Sequence, residues 1–122
     1  MRGIGIDIVE IGRLQRAVER HGEHFLQKIY TAYELAYCTG PDGKLRYSSL
    51  AARFAAKEAL YKAAFPLLRR FIGWHECEVK NDGAGVPALE LAPELKKELG
   101  PSRVHLSLSH SKEYAVAIVL IE

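Results

Sequence analysis

Residues 3–9, Gly-Ile-Gly-Ile-Asp-Ile-Val, alternate strictly: Ile4, Ile6 and Ile8 fall on one face and Gly5, Asp7 and Val9 on the other, the period of a strand. From about Glu10 to Arg20 the period changes. Ile11, Leu14, Ala17 and Val18 return at helical spacing, and Gly22 is placed to end that helix. Thr31-Ala-Tyr-Glu34 has the form of a capping box and opens a short helix through Leu35 and Tyr37. After the loop Thr39–Lys44, Ser48 or Ser49 can cap a long helix that holds Phe54–Ala63, FAAKEALYKA. Pro66 ends or kinks that helix, because proline lacks the amide proton. Trp74–Lys80 alternates as a strand, Asn81–Pro87 carries turn signals, and Ala88–Leu91 can return as the hairpin partner. Pro93 suits the first turn of a short helix closed by Gly100. Arg103–His110 and Glu113–Ile121 read as two strands joined by a tight turn. Without repeats or linkers, this order predicts a single α+β domain over 1–122. One antiparallel-leaning sheet would pack against a long central helix and shorter helices.

Composition narrows the picture only slightly. With 48% hydrophobic and 26% charged residues in 122, the chain is an ordinary globular domain rather than a disordered one. A net charge of +2 suits a phosphate-bearing or acidic partner but is too small to argue for nucleic acid, and no RNA-binding signature or basic stripe accompanies it. Cys38 and Cys77 have no metal-finger spacing and are expected to be reduced and structural. Asp7, Glu10 and Arg13 interrupt any signal-peptide pattern, and Tyr114–Ile121 is too short to span a bilayer. The expectation is a cytoplasmic protein with no membrane partner.

Two charge placements break the pattern. Glu58 and Lys62 share an angular sector of the long helix with Ala51, Phe54, Ala55 and Phe65, whereas Arg53 and Lys57 lie on a different side. The simplest reading is an i,i+4 ion pair, worth roughly 0.2–0.5 kcal/mol. Asp7 sits between Ile6 and Ile8 in an apolar strand, where an aspartate must be solvated, protonated, paired or bound to a cation. Asp7 and Glu58 are 51 residues apart (58 − 7), so a shared site would be a tertiary construction. Two carboxylates completed by water and phosphate oxygens are how proteins usually hold Mg²⁺. In Leu106–Tyr114, LSLSHSKEY, Ser109, His110, Ser111 and Lys112 offer a phosphate contact at a turn, or simply form the turn. A Ser-His hydrolase is a poor fit, since adjacent strand residues face opposite ways and no GxSxG is present.

Three stretches in order, GIGIDIVEIGR (3–13), RFAAKEALYKA (53–63) and LSLSHSKEYAVAIV (106–119), resemble the short, single-domain phosphopantetheinyl transferases, the holo-acyl-carrier-protein synthases. The resemblance implies transfer of the phosphopantetheine arm of coenzyme A to a serine of an acyl carrier protein, in support of fatty acid biosynthesis. It implies Asp7 and Glu58 as Mg²⁺ ligands, Glu58 and Lys62 as the catalytic pair, and Arg53, Lys62 and His110 as coenzyme A contacts. Arg13 matches a residue that meets the acidic carrier protein. It also implies a homotrimer with the site between neighbours, the turn holding Gly85 and Pro87 closing over the nucleotide from the adjacent chain. Val- and Ile-rich strands leave apolar sheet surface for such an assembly. Two departures stand out: Ala64–Gly73, AFPLLRRFIG, replaces a glycine-rich stretch, and Val86 replaces a polar residue. Arg69 and Arg70 are expected to supply replacement charge. The readings left open are another metal-dependent phosphoryl-transfer or nucleotide-hydrolysing domain and, further off, a nucleic-acid-binding module.

Overall fold

The computed structural model describes all 122 residues. Its elements are β1 (Gly3–Glu10), α1 (Ile11–Ile29), α2 (Ala32–Tyr37), α3 (Tyr47–Leu68), β2 (Cys77–Asn81), β3 (Pro87–Leu91), α4 (Pro93–Leu99), β4 (Val104–His110) and β5 (Tyr114–Ile121). The α+β class holds, with α3 at the centre. The strands form two antiparallel sheets rather than one: β1-β5-β4 and the hairpin β2-β3. Between β3 and β4 the chain makes α4, whose Leu95 and Leu99 enter the core. Those two strands therefore meet by packing and not through a hairpin turn.

The register explains which face of β1 is covered. Gly5, Asp7 and Val9 turn toward α3, and Ile4, Ile6 and Ile8 are 54%, 60% and 65% exposed. The glycines are what permit this. A Cβ at Gly5 would lie 2.0 Å from the Ala59 carbonyl oxygen, and one at Gly3 would lie 2.2 Å from that of Ala63. Backbone thus rests directly on backbone, and α3 is buried on most of its circumference through Ala51, Ala52, Ala55, Ala56, Ala59 and Ala63.

That burial takes in two charges. Lys57 and Arg53, on a different side of α3 from Glu58 and Lys62, are only 4% exposed. Lys57 Nζ meets Glu34 Oε1 at 2.8 Å and donates to the carbonyls of Ile29 (2.9 Å) and Trp74 (2.7 Å). Glu34 closes the expected capping box at Thr31 and also accepts from Val79 N at 2.7 Å. Every charged atom of the pair has a partner, so one contact joins α1, α2, α3, β2 and the segment before β2.

Several element ends depart from expectation, each for a local reason. Gly22, at φ 64° and ψ −146°, interrupts α1 without ending it, and the helix resumes as far as Ile29. Arg46 N is tied to Cys38 O, holding Arg46 extended as the N-cap, so α3 starts ahead of Ser48 and Ser49 and neither serine caps it. Pro66 lies in the last turn, where its missing amide forfeits one bond to the Lys62 carbonyl, and the helix runs only two residues further, to Leu68, before Arg69 turns left-handed at φ 57°. Trp74–Glu76 is a turn, closed by Glu76 N to Gly73 O, so β2 begins only at Cys77. Cys38 and Cys77 are buried free thiols, pushed by burial to about 11 and about 12 respectively. No helix is long and apolar enough to cross a membrane.

Removing one partner of a satisfied buried pair strands the other charge. Lys57→Met is therefore expected to cost about 3–5 kcal/mol in denaturant unfolding. Glu34→Gln combined with Lys57→Met should cost less than Lys57→Met alone, because the amide oxygen still accepts a backbone N–H and no charge remains. A double variant as unstable as the single one would show that packing, not charge, sets the cost.

Candidate active site

The seam between β1 and α3 carries the site. Asp7, two residues beyond Gly5, faces the helix at the level where Glu58 and Lys62 emerge. Lys62 Nζ donates to Asp7 Oδ1 at 3.0 Å and to the Ile6 carbonyl at 3.0 Å. Lys62 thus pairs across to the strand and not with Glu58 on its own helix, which rules out the simple i,i+4 ion pair. The Asp7 side chain is 16% exposed and that of Lys62 is 51% exposed, so solvent and ligands reach the seam.

Glu58 is half-buried one turn before Lys62. Burial raises its carboxyl above the usual range, the Asp7 charge raises it further, and Lys62 opposes them. Two carboxylates sense one another here with a single ammonium between them in charge terms. That donor set fits Mg²⁺. Both side chains offer hard oxygen donors, and no group of three ligating side chains forms, so a cation would complete its shell with water or phosphate.

Two cavities flank the seam. One of about 500 Å³ is bounded by Asp7, Arg13, Leu14, Phe25, Phe54 and Tyr114. The other, of about 370 Å³, is bounded by Glu58, Tyr61, Phe71, Ile72 and Trp74 among others. Sequence reasoning named Arg13 but not the aromatic walls. The available signal was the recurrence of Phe54, Tyr61 and Phe65 at helical spacing around Glu58.

The other candidates lie elsewhere on the chain. Arg53 is enclosed: it donates to Ser49 O (3.1 Å) and Asn81 Oδ1 (2.9 Å), and it covers the Tyr37 ring at 4.4 Å. Its buried Nε has no hydrogen-bond partner. Asn81 in turn donates to Gly85 O at 3.2 Å, so Arg53 is tied to the β2-β3 turn on the far side of α3 from Glu58. In that turn Gly85 has φ 82°, Asp82 Oδ1 accepts from Ala84 N and Val86 N, and Pro87 opens β3 opposite Asn81. His110 ends β4, exposed, in register with Ala115, which pairs with Val9. It shares the sheet face of Asp7 but stands two strands across, about 10 Å, and two residues along, about 7 Å.

Arg70 does not offer free charge as expected. Its guanidinium is held by Glu76 in a two-pronged pair (2.8 and 3.0 Å), by Glu98 through Nε (3.1 Å) and by Phe71 O (2.8 Å). Arg69 is exposed.

The 4′-phosphopantetheinyl transferase superfamily model matches residues 3–119. A curated relative from Halothermothrix orenii, a holo-[acyl-carrier-protein] synthase, is 44% identical over 125 residues, covering 100% of this chain and 98% of that protein. The crystal structure of holo-[acyl-carrier-protein] synthase from Neisseria meningitidis superposes with a TM-score of 0.84 at 34% identity, covering 100% of this chain and 98% of that one. The Bacillus anthracis holo-(acyl-carrier-protein) synthase, solved in complex with CoA (3′,5′-ADP), gives 0.77 at 36% identity, over 98% and 95% of the two chains. The chain belongs to the 4′-phosphopantetheinyl transferase superfamily, among the holo-[acyl-carrier-protein] synthases.

Calorimetric titration with Mg²⁺ or Mn²⁺ checks the carboxylate pair. Asp7→Asn and Glu58→Gln should each weaken binding by at least about tenfold, since even residues that merely orient a ligand cost about that much. Lys62→Ala should bind the cation at least as well as the wild type, because it frees Asp7 of a competing ammonium. Unchanged affinity in both carboxylate variants would remove the metal from this seam.

Proposed function

We propose that this chain transfers 4′-phosphopantetheine from coenzyme A to a serine hydroxyl of apo acyl carrier protein and releases 3′,5′-ADP, serving fatty acid biosynthesis in the cytoplasm. The observation that carries the reading is the Asp7–Lys62 contact beside Glu58, an ammonium and two carboxylates facing a solvent-open seam. Asp7 and Glu58 would hold Mg²⁺. When bound there, the cation neutralises the pyrophosphate and polarises the phosphorus under attack.

The chain's own groups do the rest. Glu58, directly or through a water, accepts the serine proton as the serine oxygen bonds to phosphorus. The bond from that phosphorus to the bridging oxygen breaks, and 3′,5′-ADP leaves with the electron pair. Lys62 exchanges Asp7 for the departing phosphate and stabilises the charge that grows there. Arg13, which shares the wall of the larger cavity with Asp7, Glu10, Phe25 and Phe54, presents a guanidinium suited to two-pronged binding of carrier carboxylates. His110 contacts coenzyme A from the end of β4.

The remaining nucleotide contacts are assigned to a neighbouring copy in a homotrimer. Ile6 is paired in register with Ile118, itself 40% exposed, so Ile4, Ile6, Ile8 and Ile118 form one apolar sheet face that a second copy can cover. In that assembly Arg53 holds the Gly85–Pro87 turn of one copy over the nucleotide bound at Glu58 of the next.

Mass spectrometry of apo carrier protein incubated with coenzyme A, Mg²⁺ and the chain should show the phosphopantetheine mass gain. Lys62→Ala should lower its rate by about 10²–10³-fold, as expected for losing one transition-state donor. Hydrolysis of coenzyme A with no gain on several apo carriers would favour a nucleotide hydrolase instead.

Mixing tests the shared site. Asp7→Ala and Gly85→Val chains, each inactive alone, should regain activity together; valine cannot easily adopt the φ of 82° at Gly85. A fully active species sedimenting as one 13.6 kDa chain would overturn the shared site.

A further inference from the structure

Two half-buried rings stand between the cavities that flank the seam. Phe54, one helical turn before Glu58 on α3, lines the larger cavity. Trp74, in the turn ahead of β2, borders the smaller one and does not line the larger. The two ring centroids are 5.2 Å apart and the planes are tilted by 33°. That spacing lies within the roughly 4.5–7 Å of packed aromatic pairs, which contribute more than their buried area alone. Trp74 is fixed by its backbone. Lys57 Nζ, already paired with Glu34, donates to the Trp74 carbonyl at 2.7 Å. On either side, Glu76 Oε2 accepts from Gly73 N at 2.6 Å and His75 Nε2 meets the Gln27 carbonyl at 2.8 Å. The Trp74 ring is thus carried on a held segment and packs onto Phe54. The helix fixes the Phe54 backbone but not the ring, and Trp74 fills the space behind it.

What the larger cavity offers a partner depends on that ring. Its charged residues are Asp7, Glu10 and Arg13, two carboxylates to one guanidinium. Asp7 is paired with Lys62 and Glu10 with Arg16, so Arg13 is the one charge there without an ion pair. A single exposed ion pair holds a protein only weakly. Most of the grip on an acceptor must therefore come from apolar contact with Leu14, Phe25 and Phe54. Of these, Phe54 is on the helix that carries Glu58, so its ring sets where the acceptor stands relative to the reacting groups.

Resting on the function proposed above, we infer that Trp74 is a positioning residue for the acceptor. It touches neither the carrier protein nor the cation, and it acts by holding the Phe54 ring against the carrier's apolar side chains beside Asp7. The fit of the carrier is in this way set from a segment outside its own cavity. Leucine at this position would keep apolar bulk and lose the flat ring, and the Phe54 ring could then turn into the space behind it. Phenylalanine would keep a ring in the same plane of contact.

Steady-state kinetics with Mg²⁺ separates this role from general damage to the fold. Trp74→Leu should raise the KM for apo carrier protein by about fivefold, the size of one lost aromatic pair. Its kcat and its KM for coenzyme A should stay within about twofold of wild type. Trp74→Phe should restore most of the carrier KM. Equal rises in both KM values, or a fall in kcat with neither KM changed, would overturn the assignment. A Trp74→Phe chain no better than Trp74→Leu would do the same. A second measurement leaves position 74 intact. Trp74 is the chain's only tryptophan, so its emission reads the ring directly. A tryptophan-free carrier whose acceptor serine is changed to alanine, added without coenzyme A, should shift that emission saturably. Phe54→Leu should remove most of the shift at saturating carrier. Carrier binding seen by calorimetry with no change in wild-type emission would overturn the inference and leave the function intact. A wild type that modifies no carrier would instead overturn the function on which it rests.

Discussion

Everything at the seam depends on how closely α3 can approach β1. Two glycines on the strand meet two alanines on the helix, Gly5 over Ala59 and Gly3 over Ala63, so that carbonyl oxygens occupy the space where strand side chains would stand. This approach gives Lys62, an exposed residue on a long flexible stem, a hydrogen bond to strand backbone as well as to Asp7. It also places the Asp7 charge within reach of Glu58. Had either glycine carried a side chain, the helix would stand off the sheet and the three groups would be separate surface charges.

The same closeness forces a second arrangement on the opposite side of α3. A helix pressed onto a sheet and wrapped by α1, α2 and β2 has little solvated face left. The lysine and arginine that its sequence carries are enclosed. Glu34 neutralises Lys57 and, through Val79 N and the Thr31 cap, aligns α2 and β2 on the same charge. Arg53 is matched less fully, with Tyr37 and Asn81 as its partners. Burying a pair of this kind contributes little net stability compared with apolar packing, but it makes misalignment of four elements costly. Such an anchor keeps the helix that bears Glu58 and Lys62 from rotating.

How far the sequence could reach follows from what each signal measures. Periodicity and turn chemistry report local structure. They located β1, the capping box at Thr31, the β2-β3 hairpin and Pro93 at the head of α4, each of which depends on residues within a few positions. They could not report which helix face is buried when nearly all faces are. Hence the sector reading of α3 could separate the two charged pairs but not assign their surroundings: Glu58 and Lys62 open onto the seam, and Arg53 and Lys57 are interior. Alanines permit burial without demanding it, so their spacing says little about direction. The division into two sheets and the capture of Arg70 by Glu76 and Glu98 both turn on contacts across many residues, invisible to a window. At the site, the odd placement of Asp7 in an apolar strand was the legible signal. Its partner, 55 positions away, was not.

The placement of Arg53 bears on why a chain of this size would need copies of itself. Glu58 and Arg53 are five positions apart on a straight helix, which sets them about 140° apart at 100° per residue. A ligand at the Glu58 seam cannot also touch the turn that Arg53 holds, because α3 stands between them. Small rearrangements do not help, since the Lys57–Glu34 pair fixes the helix and Gly5 fixes its distance from β1. If the Gly85 turn acts on the nucleotide, it must do so on a ligand held by another chain. The exposed row of Ile4, Ile6 and Ile8 on the outer face of β1 provides the surface for that meeting, adjacent in sequence to Asp7 itself. Alternation along one strand thus sends the carboxylate inward to the helix and the isoleucines outward to solvent. In the proposed trimer the same eight residues would serve both the chemistry and the assembly that completes it.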